Sequence, residues 1–258
     1  LRGGPARARS DGTSIHETIG TGTRTAGKMR GPSGGEQGLR VKEVFLSLQG
    51  ESTSAGLPTV FVRFVGCNLR CRYCDTRYAY EGGSPAAPEE ILAAVSAFPV
   101  RRVCLTGGEP LLQPAEELQR LLDFLAGWEV SVETNGSLPL DTVRLGPGHR
   151  WIMDLKCPGS GEVEANRWEN LELLSPQDEV KFVVSSHEDY AWAREVIRTR
   201  GFPPGARTLL SPAWPDLDPR DLASWMLSDG LDARLQIQLH KVIFGPEGER
   251  SLPWRARL

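Results

Sequence analysis

The sequence predicts an α/β fold, a partial, open βα barrel of about six mainly parallel strands. Three observations predict it. Short apolar runs alternate with amphipathic stretches along most of the chain, as strands alternate with helices in a parallel sheet. The run TVFVRFV (59–65) reads as apolar on both faces, as in a buried parallel strand. The repeats are too few to close an eight-fold barrel.

Taken in order, VKEVFLSLQGE (41–51) alternates, with Val44, Leu46 and Leu48 on one face and Glu43, Phe45, Ser47, Gln49 and Glu51 on the other. That is a strand with a polar exit. Gly56 and Pro58 mark a turn before the strand 59–65. A helix is predicted over 88–98, opened by Pro88, Glu89 and Glu90. Strands follow at 103–110, 129–136, 151–156, 179–184 and 207–212. Helices are predicted over 114–126, 165–174, 186–200 and 218–228, and a final strand over 233–244.

The predicted strands end in polar groups: Gln49 and Glu51, Thr106 to Glu109, Glu133 to Asn135, Asp154 and Lys156, and Ser211. Ligands of βα folds sit at the C-terminal ends of the strands. Polar residues gathered on one rim are hard to explain as packing.

Residues 1–38 differ in composition from the rest of the chain. They hold ten glycines and only four large apolar residues, Leu1, Ile15, Ile19 and Met29. Such a segment cannot bury enough apolar surface to offset its ordering entropy. It is expected to be a disordered extension ahead of one catalytic domain at 39–258, with Met29 a candidate native start. The 258 residues fit one sizeable domain plus this tail. The net charge of -3 gives no basic face for nucleic acid. No run approaches the roughly 18 apolar residues of a membrane span. Five cysteines, three of them clustered, read as metal chemistry in a reducing compartment, the cytoplasm.

Those three are Cys67, Cys71 and Cys74, spaced C-x3-C-x2-C. Thiolates are soft ligands, and three so close together can hold one soft metal centre. They leave a tetrahedral site one ligand short, whereas structural zinc takes four protein ligands. Gly107-Gly108-Glu109-Pro110 follows a strand. Its glycines allow close approach of backbone to a ligand, and a carboxylate beside them can meet an ammonium. The competing reading is a tight turn with Pro opening a helix.

The triplet and the Gly-Gly-Glu-Pro segment together resemble the radical S-adenosylmethionine (SAM) superfamily. More specifically, S-L-Q-G-E, F-V-R-F-V-G-C-N-L, C-D-T, T-G-G-E-P-L-L-Q, E-T-N-G-S-L-P and Q-L-H-K occur in that order. That series resembles the 7-carboxy-7-deazaguanine synthase family over residues 41 to about 245. The resemblance implies a [4Fe-4S] cluster whose open iron chelates SAM, Mg2+, and a homodimer. It implies radical ring contraction of 6-carboxy-5,6,7,8-tetrahydropterin with loss of ammonia, and an electron donor such as a flavodoxin.

Residue by residue, the resemblance implies that Cys67, Cys71 and Cys74 hold the cluster and that Thr76 meets magnesium. It places Tyr73, Cys74, Asp75, Gly108, Glu109, Thr134, Asp154, Lys156 and Ser211 around SAM. It places Leu48, Gln49, Gly50, Glu51, Arg63 and Thr106 at the substrate, and assigns no proton-transfer residue. Where many relatives carry Ser-Pro-Lys, this chain has Asp154-Leu155-Lys156-Cys157-Pro158. His240, Cys104 and Cys157 read as buried residues without a ligand. Arg63 has two readings, an anchor for a substrate carboxylate or a partner of Glu43 or Glu51. Two other functions compete, a glycyl-radical-enzyme activase of the same superfamily, which shares the cysteines and Gly-Gly-Glu-Pro but acts on a protein, and a non-enzymatic iron–sulfur or zinc module.

Overall fold

The structure is a computed structural model, and it describes residues 38–245 and the backbone of 255–256. The described residues belong to a unit spanning Glu36–Leu258. The expectations for residues 1–37 and for residues 246–258 past the last helix lie outside the described residues.

One sheet organises the chain. Its strands are β1 (Leu39–Leu48), β2 (Pro58–Phe64), β3 (Ser84–Ala86), β4 (Arg102–Gly107), β5 (Glu129–Thr134), β6 (His149–Lys156), β7 (Glu179–Val184), β8 (Arg207–Pro212), β9 (Arg234–Leu235) and β10 (Arg255–Ala256). The order is β10-β1-β2-β4-β5-β6-β7-β8-β9, with β3 against β1. Strands β2, β4, β5, β6, β7, β8 and β9 pair in parallel. Strand β1 runs antiparallel to β2, β3 and β10. The order has two ends, so the sheet is open, as the sequence predicts.

Helices α1 (Pro88–Ser96), α2 (Ala115–Phe124), α3 (His187–Arg200) and α4 (Pro219–Asp229) return the chain between strands. Their starts follow the predicted chemistry. Glu90 accepts from the Ala87 amide at 2.7 Å ahead of Pro88. Ser186 accepts from Asp189 at 3.3 Å, and Asp218 from Arg220 at 2.9 Å. Each side chain satisfies an amide that the first helical turn leaves unpaired.

Alternation within the strands decides where the core lies. Val60, Val62, Phe64, Val103, Leu105, Val130, Val132, Met153, Leu155, Val180, Phe182 and Leu210 join one core with Ile91, Leu118, Leu121, Ala193 and Leu222 of the helices. Burying each large side chain contributes roughly 1.5–3 kcal/mol. The intervening positions face the other way, and most are polar: Arg63, Thr106, Ser131, Glu133, Asp154, Lys181 and Ser211. The strand 59–65 is therefore not apolar on both faces. Phe61 and Arg63 point to the inner side, where Phe61 stacks on Phe45 at 5.1 Å and packs with Cys104.

Two further expectations are corrected. The predicted helix at 165–174 is two short 3-10 turns, Val163–Ala165 and Trp168–Leu173. Side chains tether this segment to other backbone: Asn166 bonds both polar groups of Lys156, and Asn170 bonds Gly136, Leu138 and Leu140. The predicted strand 233–244 is the two-residue β9 followed by helix α5 (Leu239–Phe244). Its ladder stops because Gln236 and Gln238 turn their amides to Glu51 and the Leu239 amide bonds Gly50 at 2.9 Å. Sequence reasoning also missed β3, which pairs the start of β1 at an edge where Pro85 is tolerated.

Candidate active site at the C-terminal rim

The inner face and the rim enclose a cavity of about 270 Å³. The stacked Phe45 and Phe61 contribute apolar wall, and the inward residues of β2, β4, β5, β6, β7 and β8 supply polar groups. Of the eighteen residues expected at the site, fifteen line this cavity: Cys67, Cys71, Cys74, Thr76, Tyr73, Asp75, Gly108, Thr134, Asp154, Lys156, Ser211, Gln49, Glu51, Arg63 and Thr106.

The other three are placed elsewhere. Leu48 ends β1 opposite Pro58. Gly50 is packed behind His240, and a β-carbon there would lie 1.9 Å from His240 Nδ1. Glu109 is fully buried and faces the protein. Its carboxylate accepts from the amides of Leu111 at 3.0 Å and Asn135 at 2.7 Å and from the Thr134 hydroxyl at 2.9 Å. Burial pushes it up to about 7, against those three donors. It ties the exit of β4 to the exit of β5, the role of a positioning group.

The loop after β2 carries the cysteines. It is braced at both ends: Gly66 donates to Ala79 at 2.9 Å, and Glu109 donates to Gly66 at 2.7 Å. A β-carbon on Gly108 would lie 1.7 Å from the Gly66 carbonyl oxygen, so only glycine allows the two backbones to meet. Asn135 reaches Asn68 at 3.0 Å and the Cys67 sulfur at 3.7 Å. The Arg72 amide donates to Ser160 at 3.0 Å, and the Tyr73 hydroxyl to the Val183 carbonyl at 3.2 Å. Burial pushes the Cys67 and Cys71 thiols up.

Four charges form a chain across the cavity. Lys181 lies 2.7 Å from Glu51 and 3.2 Å from Asp154, and Lys156 lies 2.6 Å from Asp154. All four side chains are at most 17% exposed. Burial opposes charge on each, and the partners outweigh it: Glu51 and Asp154 are held below the usual carboxylate range, and Lys156 and Lys181 above the usual lysine range. Gln238 and Gln236 add bonds to Glu51 at 2.7 and 3.3 Å.

Of the two sequence readings of Arg63, the structure shows the pairing with Glu43. Its Nε donates to Glu43 at 2.8 Å, and its guanidinium lies near the rings of Phe45 and Tyr78. Its two terminal nitrogens bond to no other group among the described residues, and the side chain lines the cavity. Beside it, Glu133 accepts from Thr106 at 2.9 Å and Gln49 at 3.3 Å. Thr76 precedes a short 3-10 turn without capping it, and its hydroxyl donates to Asp75 at 2.8 Å. Burial would raise the Asp75 carboxyl, but Lys241 at 2.6 Å holds it down instead.

Sequence reasoning set Glu133 and Asn135 on the rim without naming a contact for them and did not place Lys181, Gln238, His240 and Lys241 there; all six line the cavity. The signal was present for two of them. Lys181 and Glu133 sit at alternate, inward positions of strands whose other face is apolar. His240 read as a core residue because its segment was taken for a strand.

Among the described residues, no three His, Cys, Asp or Glu side chains converge as a single metal ion requires. In a [4Fe-4S] centre each iron takes one ligand besides its sulfides, so three thiolates hold three irons and leave the fourth open. Three free thiols on the wall of one cavity fit that donor set. The hydroxyl of Thr76 beside the Asp75 carboxylate fits Mg2+ only with waters and substrate oxygens completing the shell. Among the described residues, no helix is long and apolar enough to cross a membrane.

Comparison with known proteins bears on this cavity. Residues 61–224 match the family model of the Radical SAM superfamily. The 7-carboxy-7-deazaguanine synthase of Koribacter versatilis is 42% identical over 81% of this chain and 98% of its own length. That of Chlorobaculum tepidum is 44% identical over 82% and 97%. That of Methanospirillum hungatei is 42% identical over 86% and 96%. The fold matches the crystal structure of QueE from Escherichia coli with a TM-score of 0.62 and 24% identity, covering 78% of this chain and 94% of that one.

Proposed function

The chain belongs to the 7-carboxy-7-deazaguanine synthase family of the radical SAM superfamily, and on that premise we propose how its cavity is used. The enzyme converts 6-carboxy-5,6,7,8-tetrahydropterin to 7-carboxy-7-deazaguanine with loss of ammonia. The observation that carries the assignment of residues is the meeting of three cysteines and a polar inner face in one cavity.

Cys67, Cys71 and Cys74 hold the [4Fe-4S] cluster, which when bound supplies the electron that opens SAM. Gly108 and Thr134 border the methionine end of SAM, and Glu109 positions them from behind. Tyr73, Asp154, Lys156 and Ser211 border the rest. The pterin lies toward β1, β2 and β4. The free end of the Arg63 guanidinium meets its carboxylate, a planar match for two parallel hydrogen bonds. Gln49, Thr106 and Glu51 present acceptors and donors to the ring. Lys181 keeps Glu51 and Asp154 ionised and in place.

Thr76 would contribute its hydroxyl to Mg2+, which when bound would offset negative charge on the substrate. Residues 39–258 form the catalytic domain, preceded by a dispensable extension. The enzyme works as a homodimer in the cytoplasm, and an external carrier such as a flavodoxin supplies its electron. Exposed Leu235, Ile237, Val242 and Ile243 at the β9–α5 edge support the dimer. The deciding experiment is anaerobic reconstitution with iron and sulfide, then incubation with SAM, reductant and the pterin. Formation of 7-carboxy-7-deazaguanine supports the reading. SAM cleavage without pterin turnover would move the substrate assignment elsewhere.

A further inference from the structure

We propose that the outer face of the cysteine loop is the docking surface of a small acidic flavoprotein that carries single electrons, and that Arg70, Arg72 and Arg77 form it. The inference rests on the radical SAM reading above and adds where the electron enters.

The first observation is charge. Residues 67–80 contain three arginines and one carboxylate, Asp75. Lys241 neutralises Asp75 at 2.6 Å. The whole chain carries a net charge of -3, so this loop is a positive island on an acidic protein. The second is exposure. All three arginines are exposed, and none lines the cavity, so they face away from the substrate and SAM.

The third observation is how these arginines are held. Among the described residues, none of them pairs with a carboxylate through its guanidinium. Arg70 donates to the carbonyls of Cys67 at 2.7 Å and Leu69 at 2.8 Å and stacks 4.3 Å from the Tyr80 ring. Arg77 donates to the Arg72 carbonyl. The Arg72 guanidinium makes no hydrogen bond among the described residues. Glu162 accepts from the Arg70 backbone amide at 2.6 Å and not from a guanidinium. Arg70 and Arg77, held by neutral carbonyls, keep their charge for a partner and lose little entropy on docking, and Arg72 keeps its whole fork for the partner.

Position supplies the reason. Arg70 and Arg72 flank Cys71 in sequence, so a protein seated on them lies directly over the cysteine loop. The remaining two cysteines, Cys104 and Cys157, are fully buried, so neither offers a surface relay. In the transfer, an anionic flavin hydroquinone gives one electron and becomes the neutral semiquinone. The oxidised cluster takes that electron, and no proton or group moves between the proteins. Screening confines the attraction to within about 8–10 Å at physiological salt, so the local island and not the net charge steers the encounter. Such steering raises association rates by roughly 10 to 10³-fold and falls with ionic strength.

The test uses the reconstituted holoenzyme and flavodoxin. Two quantities are read: the affinity for oxidised flavodoxin by calorimetry, and the rate at which flavodoxin hydroquinone generates the reduced-cluster paramagnetic signal. Arg72→Glu should weaken both by roughly tenfold at low salt. Arg72→Gln should fall between it and wild type, and added salt should flatten the differences. Arg207→Glu, an exposed charge at the opposite end of β8, should change neither. Iron content and photoreduction by a small deazaflavin should match wild type throughout. The proposal is overturned if Arg72→Glu binds and is reduced as wild type, or if Arg207→Glu shows the same loss. It is also overturned if deazaflavin reduction falls in parallel, or if flavodoxin does not reduce the wild-type protein. Failure of deazaflavin-reduced wild type to turn over pterin would instead count against the function.

Discussion

Replacing Lys181 with Met removes the centre of the charge chain and keeps most of the side-chain volume. In the wild type, Lys181 lies between Glu51 at 2.7 Å and Asp154 at 3.2 Å. After the change Asp154 keeps Lys156, but Glu51 loses its paired cation and keeps hydrogen bonds to the neutral amides of Gln236 and Gln238. Stranding a buried charge costs about 3–5 kcal/mol. For a domain of this size that lowers Tm by roughly 6 to 20 °C.

The pH dependence distinguishes this cause from simple misfit. Glu51 and Asp154 have folded pKa values below their ordinary 4.5 and 3.8. Their contribution is therefore present above those values and is lost as pH falls through the folded ones. Lys156 and Lys181 are raised above 10.5, so theirs is complete below 10.5 and is lost as pH rises through the folded values. The wild-type network is whole from about pH 5 to about pH 10. In Lys181→Met the stranded Glu51 takes up a proton as pH falls, so the deficit shrinks toward pH 5. Adding Glu51→Gln should restore much of the loss. The assay is thermal unfolding of the reconstituted protein at pH 5 and pH 8. A Tm within about 2 °C of wild type at pH 8, or an equal deficit at both pH values, would refute the reasoning.

Arg63→Ala should lose pterin turnover by about thirtyfold to several thousandfold, the equivalent of roughly 2 to 5 kcal/mol, while keeping iron and slow SAM cleavage. Normal turnover would leave Arg63 only its pairing with Glu43. Cys71→Ala should abolish the cluster, whereas Cys104→Ala and Cys157→Ala, at sites that do not line the cavity, should retain it. Iron loss in either of the latter would reassign the ligands. Gly108→Ala should lower SAM affinity, because its β-carbon would collide with the Gly66 carbonyl; equilibrium dialysis of the holoenzyme measures this, and unchanged affinity would show that the loop yields. Thorough chelation should lower turnover and Mg2+ should restore it, with a weaker response in Thr76→Ala; turnover indifferent to both would remove magnesium from the site.

Local pattern alone determined much of this protein. The parallel strands, the four returning helices and the cysteine spacing follow from residues close in sequence, and so did most of the rim. Fifteen of the eighteen expected site residues line the cavity because strand ends in a parallel sheet must converge. Tertiary structure alone decided which groups meet. Asp154 and Lys181 are neighbours because β6 and β7 pair in that register, a choice made by packing and not by either strand. Arg63 takes Glu43 and not Glu51 because Glu43 stands directly across the β1–β2 ladder and Lys181 holds Glu51. The segment 233–244 has the alternation of a strand, but Glu51, far away in sequence, draws off its two glutamines and delivers His240 to the cavity. Glu109 turns inward because three donors from its own turn and the end of β5 satisfy its fully buried carboxylate. Periodicity reports the face on which a residue lies. Which partner it finds there depends on desolvation and charge balance among groups up to 187 residues apart, and only the folded chain brings those together.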